Sequence, residues 1–321
     1  MKNKHTRRRF VLETMLAAGT VVGVGTKERK TVLNAAESPQ LAPTRPTIVA
    51  FTKSFQDWPI PKVCRAFKSI GLQGLDLTVR PRGHIDPADV RQRLPEAVEA
   101  ARAEGLSIPF LTTAIVEADS QAAAILETAA SLGIKYVKLG YYRYKQFGQL
   151  RKELKEVRRQ LTQVVKLAKG FGVKPCVHIH SGKYIPSHGT LLYELIRDFS
   201  PDEIGAYVDT LHMVLEGGRD GWRQGLDLLS PWLTLCAVKN FSWEKVKRDK
   251  YGQQRWRFVL VPVADGISPI PDFIAALKKL GFSGVYSLHS EYKGSHSFKN
   301  LSTEECLQQT AQDLQFVRQF L

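Results

Sequence analysis

The sequence from about Arg45 to Leu321 predicts a (β/α)8 barrel, and three observations support that fold class. Short apolar runs recur about every thirty to forty residues from Thr47 onward. Most of these runs precede an amphipathic stretch with helical spacing. Eight such units end close to the C-terminus, which favours closure of a parallel sheet over an open doubly wound one.

In order, the strand candidates are 47–52, 74–79, 107–113, 135–139, 173–179, 205–208, 233–238 and 284–289. Helix patterns lie between them near 61–70, 88–104, 119–132, 147–170, 189–198, 221–230, 270–280 and 303–320. The second, fourth, fifth, seventh and eighth strands are mostly apolar rather than alternating, as a sheet buried on both faces requires. Gly71, Gly105, Gly133, Gly172 and Gly281 stand just before the next strand, where a helix end favours a residue tolerant of positive φ. No Gly-x-Gly-x-x-Gly follows the first strand, so no nucleotide cofactor is expected.

The chain has 321 residues, 43% hydrophobic and 24% charged, with a formal net charge of +15. Residues 1–30 hold eight Lys or Arg against two Glu and so account for +6 of it. The remainder is spread along the body, with runs at 151–159 and 245–257 that read as solvated faces. Cys64, Cys176, Cys236 and Cys306 are far apart and form no CxxC pair, so they lack the spacing of a zinc or iron–sulfur site, and Cys176 and Cys236, inside apolar strand patterns, read as buried thiols.

Before the barrel, a basic head (Lys2 to Arg9) leads into a moderately apolar stretch, Phe10 to Gly25, too short for a good spanning helix. Thr6-Arg7-Arg8-Arg9-Phe10-Val11-Leu12 resembles a twin-arginine export signal. Residues 1–35 are therefore expected to be a signal peptide and 36–45 a linker. The expected partner is the twin-arginine export machinery and the expected location is exported, in the periplasm.

A barrel of this kind carries its site at the C-terminal ends of the strands. Polar residues gather there: Arg80 to His84, Tyr141 to Tyr144, His178 to Lys183, Asp209 to His212, Lys239-Asn240, and His289 to Lys293. Six of the eight histidines (84, 178, 180, 212, 289 and 296) lie in or just after such ends. His178 and His180 alternate in register, and Asp209 and His212 read as the start of the loop after the sixth strand. Imidazoles and a carboxylate converging on one axis suit either a divalent transition metal or a metal-free acid–base site, and spacing does not choose between them. Trp58 and Trp243 are candidates to stack on a ring or to pack on the rim. Residues 241–263 form an insertion that reads as a hairpin lid or a subunit contact.

On these residues the chain resembles the xylose isomerase-like TIM-barrel superfamily, specifically its sugar phosphate isomerase/epimerase group. The piece that carries the resemblance is Gly205-Ala206-Tyr207-Val208-Asp209-Thr210-Leu211-His212 with Glu216-Gly217-Gly218 following. Lys239-Asn240 resembles the group's Lys-Asp after the seventh strand, and Gly284 to Tyr292 its last strand. The resemblance implies isomerisation or epimerisation of a sugar or sugar derivative by proton transfer, with a divalent Mn, Mg, Co or Zn on the usual four ligands. Only Asp209 of those four is kept. His178, or His180 if the register differs by two, takes the place of one glutamate, His289 that of the other with Glu291 two residues later, and Ala237 that of the ligating histidine.

The site expected from this comparison has His178, His289 and Glu291 as catalytic groups. Arg80, His180, His212 and Lys239 are expected on substrate, with a rearranged metal set of Asp209, His178 and His289. Arg80, Arg82, Arg143 and Lys183 point to an anionic sugar such as a sugar acid. The lost ligands also support a second expectation, a non-catalytic carbohydrate-binding barrel. The group often forms homodimers, so a homodimer is an expected assembly. Ala237 and the missing carboxylates argue against the multi-metal cluster of the fold's nuclease relatives, and nucleic acid is not an expected partner.

Overall fold

The computed structural model describes residues 46–321. The expected signal peptide and linker lie outside the described residues. In chain order the strands are β1 (Ile48–Phe51), β2 (Gly74–Val79), β3 (Ser107–Thr113), β4 (Tyr136–Lys138), β5 (Tyr142–Arg143), β6 (Lys174–His178), β7 (Tyr184–Ile185), β8 (Gly205–Asp209), β9 (Leu233–Val238), β10 (Asn240–Val246), β11 (Arg255–Val261) and β12 (Val285–Leu288). The helices are α1 (Ile60–Ser69), α2 (Val90–Ala103), α3 (Ser120–Ser131), α4 (Leu150–Gly170), α5 (Gly189–Ile196), α6 (Thr210–Leu229), α7 (Ile270–Lys279) and α8 (Thr303–Arg318).

Eight strands close into a parallel barrel in the order β1-β12-β9-β8-β6-β4-β3-β2. The helices follow their strands around the outside, so the predicted (β/α)8 TIM barrel is the fold. Gly71 (φ 88°) and Gly105 (φ 67°) end α1 and α2 in the left-handed region, as their positions before β2 and β3 required.

Inside the barrel a small apolar cluster of Val49, Phe110, Cys176, Tyr207, Leu235, Ala237 and Val285 fills the lower part. The main apolar core lies between the strands and the helices. All four cysteines are free and buried, among them Cys176 and Cys236, whose apolar strand patterns read as buried thiols.

One local feature differs from the sequence reading. The helix placed at 221–230 begins at Thr210, directly from β8, so Asp209 and His212 do not start a loop. Asp209 is the N-cap: its Oδ1 accepts from the backbone N–H groups of Leu211 and His212, each at 2.9 Å. The Gly217-Gly218 pair hides this continuity, because Gly218 (φ 59°, ψ −141°) kinks the helix midway.

Residues 241–263 form an antiparallel hairpin, β10 with β11. Its root is held by Asn240, whose Nδ2 donates to Val263 O and Ser268 O and whose Oδ1 accepts from Phe241 N and Ser268 N. A Cβ at Gly266 would lie 2.1 Å from Asn240 Oδ1, so only glycine admits this approach. Asn240 is therefore a structural clamp rather than a group facing the site. Replacing it with alanine orphans several buried backbone groups. Asn240→Ala should lower unfolding stability by about 2–4 kcal/mol, read from the urea midpoint at constant slope.

Candidate active site

The C-terminal mouth of the barrel brings together His178, His180, Asp209, His212, Lys239, His289 and Glu291. It adds four groups that sequence reading did not assign to the site: Lys53, Asp76, Lys138 and Tyr207. Asp209, His178, His212, Lys239 and His289 are all nearly inaccessible to solvent. The half-buried rim holds Lys53, Arg80, Tyr141, His180 and Glu291.

Asp209 is the centre of this arrangement. Its Oδ2 lies 3.1 Å from His178 Nε2 and 3.2 Å from Lys239 Nζ, while His212 Nε2 stands at 3.8 Å. Burial opposes its charge, but His212, Lys239 and His178 outweigh that and hold the carboxyl well below the usual range. Lys239 extends the chain, with its Nζ 3.5 Å from Glu291 Oε2, and Glu291 also pairs with Lys53. Burial alone would favour a neutral Lys239 amine; the two carboxylates reverse this and raise its proton affinity.

The carboxylate accepts from His178 Nε2–H, so the Nδ1 of that neutral ring accepts from the Tyr141 hydroxyl at 3.0 Å. The His178 ring stacks on Tyr207, centroids 4.3 Å apart. Burial pushes His178 well below the ordinary imidazole value, and Asp209 only partly offsets it against Lys239 and Lys138.

His289 has the opposite surroundings. Its Nε2 lies 2.9 Å from the Tyr207 hydroxyl and 3.4 Å from Asp76 Oδ2. Asp76 also accepts from Thr112 Oγ1 (2.5 Å), Ser287 Oγ (2.9 Å) and the Tyr207 hydroxyl (3.3 Å). Nδ1 of His289 has no hydrogen-bond partner, and Glu291 Oε2 is 3.8 Å away. Burial lowers the proton affinity of His289, but Asp76 and Glu291 outweigh it and the net shift is upward.

His180 packs on His212 at 4.0 Å, and burial lowers its pKa to about 4. Burial also lowers His212, whose Nδ1 lies 2.8 Å from Ser181 Oγ. His84 is structural: its ring nitrogens face Thr78 Oγ1 and the Phe55 carbonyl. Trp58 is buried beside Phe55 with Lys62 over its ring, so the rim-packing reading holds for it. Trp243 sits half-exposed on the hairpin among Phe241 and Phe258. Of the four basic residues read as anion-binding, Arg80 reaches the mouth. Arg82 and Lys183 are exposed, and Arg143 lies over the Tyr184 ring on the small antiparallel pair β5–β7 outside the barrel sheet.

The donor set does not fit the divalent metal that the resemblance implies. Asp209, His178 and His289 do not share a point, because His289 is turned to Tyr207 and Asp76. Both nitrogens of His178 are engaged, and both oxygens of Asp209 are taken by amides, His178 and Lys239. Ala237 lies level with Asp209 and Ser287 and supplies no donor. Among the described residues no group of three or more His, Cys, Asp or Glu side chains is placed to hold a metal ion. The position between Asp209 and Glu291 is filled by the Lys239 ammonium.

Removing the central charge leaves Lys239 buried with one partner fewer. Asp209→Asn should therefore lose about 3–5 kcal/mol of stability at neutral pH. A carboxyl depressed in the folded state stabilises in full above its unfolded value of 3.8 and loses that contribution progressively as pH falls from there through the lower folded value. The gap between wild type and Asp209→Asn should accordingly narrow below pH 3.8, as urea titrations across acid pH would show.

A family model described as Xylose isomerase-like TIM barrel matches residues 64–320. No curated protein matches. Among solved structures, the IOLI protein with a bound zinc atom superposes with TM-score 0.67 at 16% identity, covering 86% of this chain and 99% of that one. D-psicose 3-epimerase from Clostridium cellulolyticum H10, with D-tagatose, gives TM-score 0.63 at 12% identity, covering 86% and 99%. The 3-keto-D-glucoside 4-epimerase YcjR from E. coli gives 0.61 at 14%, covering 86% and 100%. At these identities the likeness concerns the fold. With the family model spanning most of the barrel, the chain belongs to the Xylose isomerase-like TIM barrel family.

Proposed function

We propose that the protein is an isomerase or epimerase of a sugar or sugar derivative, working by acid–base proton transfer without a divalent metal. One observation carries this reading: two imidazoles, their ring centroids 5.8 Å apart, are given opposite proton affinities by their surroundings. Two of the structurally similar proteins are sugar epimerases, which supports the substrate class.

In this reading the neutral His178, with Tyr141 before it, receives the proton from the carbon beside the carbonyl. The Tyr141 hydroxyl passes its own proton to His178 Nδ1 as it takes the one from carbon, so no tyrosinate accumulates. Asp209 holds the ring from behind in the required tautomer. The Lys239 ammonium, fixed between Asp209 and Glu291, polarises the carbonyl oxygen as negative charge develops. Protonated His289 offers its free Nδ1–H to return a proton. His212 Nε2, also without a hydrogen-bond partner, suits a substrate hydroxyl. His178 ends β6 and His289 follows β12, and the two strands between them, β8 and β9, carry Asp209 and Lys239. Proton removal on one side and return from the other inverts a carbon, so epimerisation is the favoured form.

Export by the twin-arginine route is part of the same proposal, on the support of Thr6 to Leu12.

The test is solvent-deuterium exchange into a panel of sugars, keto-sugars and sugar acids, followed by pH profiles on the substrate found. Activity requires His178 deprotonated and His289 protonated. The acid limb should then lie below the ordinary imidazole value of 6.5 and the alkaline limb above it. His178→Gln and His289→Gln should each cost about 10²–10⁴ in kcat, the first removing the acid limb and the second the alkaline one. Chelation should leave the rate unchanged; a rate lost to chelator and restored by metal would remove Lys239 from its role. Binding without exchange in any sugar would make the barrel a carbohydrate-binding module instead.

A further inference from the structure

Every anion at the mouth is accounted for, but two cations are not. Lys53 and Lys239 pair with Glu291, and Lys239 also with Asp209. Asp76 is taken by hydroxyls and by His289. This leaves Arg80, just beyond β2, and Lys138, the last residue of β4. The buried Nε of Arg80 has no hydrogen-bond partner, and the guanidinium carbon stands 5.7 Å from the centre of the Phe51 ring. Lys138 is 2% exposed, and its Nζ sits 3.5 Å over the Tyr141 ring. Among the described residues no carboxylate comes within 4 Å of either side chain's nitrogens.

Burying a cation without a counter-charge is expensive, and an apolar residue of similar volume would serve the fold better. A ring face offsets only part of that cost. Burial first and then the Arg80 charge hold the Lys138 amine well below the usual lysine range, and Asp76 and Glu291 offset this only in part, so an anion in contact is what would restore its charge. Both side chains neighbour groups already given a part in the chemistry: Phe51 stacks on His289 at 4.5 Å, and Tyr141 bonds His178. An anion placed between them would satisfy the Arg80 Nε and supply Lys138 with a partner.

We propose that Arg80 and Lys138 form a carboxylate-binding subsite, so that the substrate is a sugar acid. This rests on the proton-transfer reading of the same mouth. Arg80 takes the carboxylate through its planar fork and Lys138 closes on it as a point charge. The remaining sugar carbons then extend toward His178, Lys239 and His289.

The test is calorimetric binding of a panel of uronates, each compared with its parent aldose and that aldose's 6-phosphate, to wild type, Arg80→Gln and Lys138→Met. At least one uronate should bind about tenfold to a hundredfold more tightly than its parent sugar. Each substitution should abolish that preference while leaving affinity for the neutral sugar in place. Lys138→Met should melt no lower than wild type, because it replaces a buried amine that has no carboxylate in contact with an apolar chain of similar length; this separates lost recognition from lost folding. Equal affinity for acid and parent sugar, tighter binding of the phosphate, no binding by any panel acid, or an acid preference that survives both substitutions would overturn the subsite. Deuterium exchange is measured on the same panel. Exchange confined to neutral sugars would sink the subsite and leave the acid–base reading. Acid-selective binding with no exchange would do the reverse.

Discussion

The mouth of this barrel depends on one buried ion pair, Asp209 with Lys239. The carboxylate is fully excluded from water and performs three tasks at once: it caps α6, orients His178 and holds the Lys239 ammonium. A single carboxylate has room for these tasks because its two oxygens divide them. Oδ1 takes the helix amides and Oδ2 takes the imidazole and the ammonium. The helix N-terminus favours the same negative charge that Lys239 requires. Fold and chemistry therefore meet in one side chain, and the strand-to-helix junction cannot shift without moving the site.

Tyr207 provides the second coupling. Its ring stacks under His178 while its hydroxyl links His289 to Asp76. The two imidazoles are thus referenced to one rigid residue whose lower half belongs to the barrel's apolar plug. They nonetheless receive different fields. His178 faces two lysine charges with one carboxylate in contact, whereas His289 lies between Asp76 and Glu291. The difference comes from where the strands place anions, since both rings are equally buried.

Much of this was legible in the sequence because it follows from period and position. The parallel barrel shows in recurring apolar runs, the helix ends in their glycines, and Asp209 in a polar residue closing an apolar strand. What escaped were charges inside runs that read as apolar. Asp76 sits in Gly-Leu-Asp-Leu-Thr-Val and Lys138 in Lys-Tyr-Val-Lys-Leu, where hydrophobic neighbours dominate the pattern. Their partners are supplied by distant segments: Asp76 is bonded by Thr112, Tyr207 and Ser287, residues far apart in the chain. No local spacing encodes such a contact. A usable signal was present all the same, because a carboxylate or ammonium in a strand buried on both faces must find a partner or a task. The direct passage from β8 into α6 was missed for another reason. Gly217 and Gly218 resemble a loop, yet one helical kink accommodates them.

The Lys239 ammonium, set between Asp209 and Glu291, bears on what the mouth can hold. A divalent ion gathers several oxygens and tolerates rearranged ligands; an ammonium offers three donors, two of which here already face carboxylates. One direction remains for a further oxygen, so Lys239 alone would orient a bound molecule poorly. Orientation must come from elsewhere on the mouth, and the remaining unsatisfied groups are His212 Nε2, His289 Nδ1 and Arg80 Nε. A fixed point of attachment away from the reacting carbon is what a weaker electrophile needs, because positioning can then supply barrier reduction that a metal's charge would otherwise provide. Arg80 and the buried Lys138, neither with a carboxylate in contact, and the ammonium held between Asp209 and Glu291 are therefore parts of one arrangement.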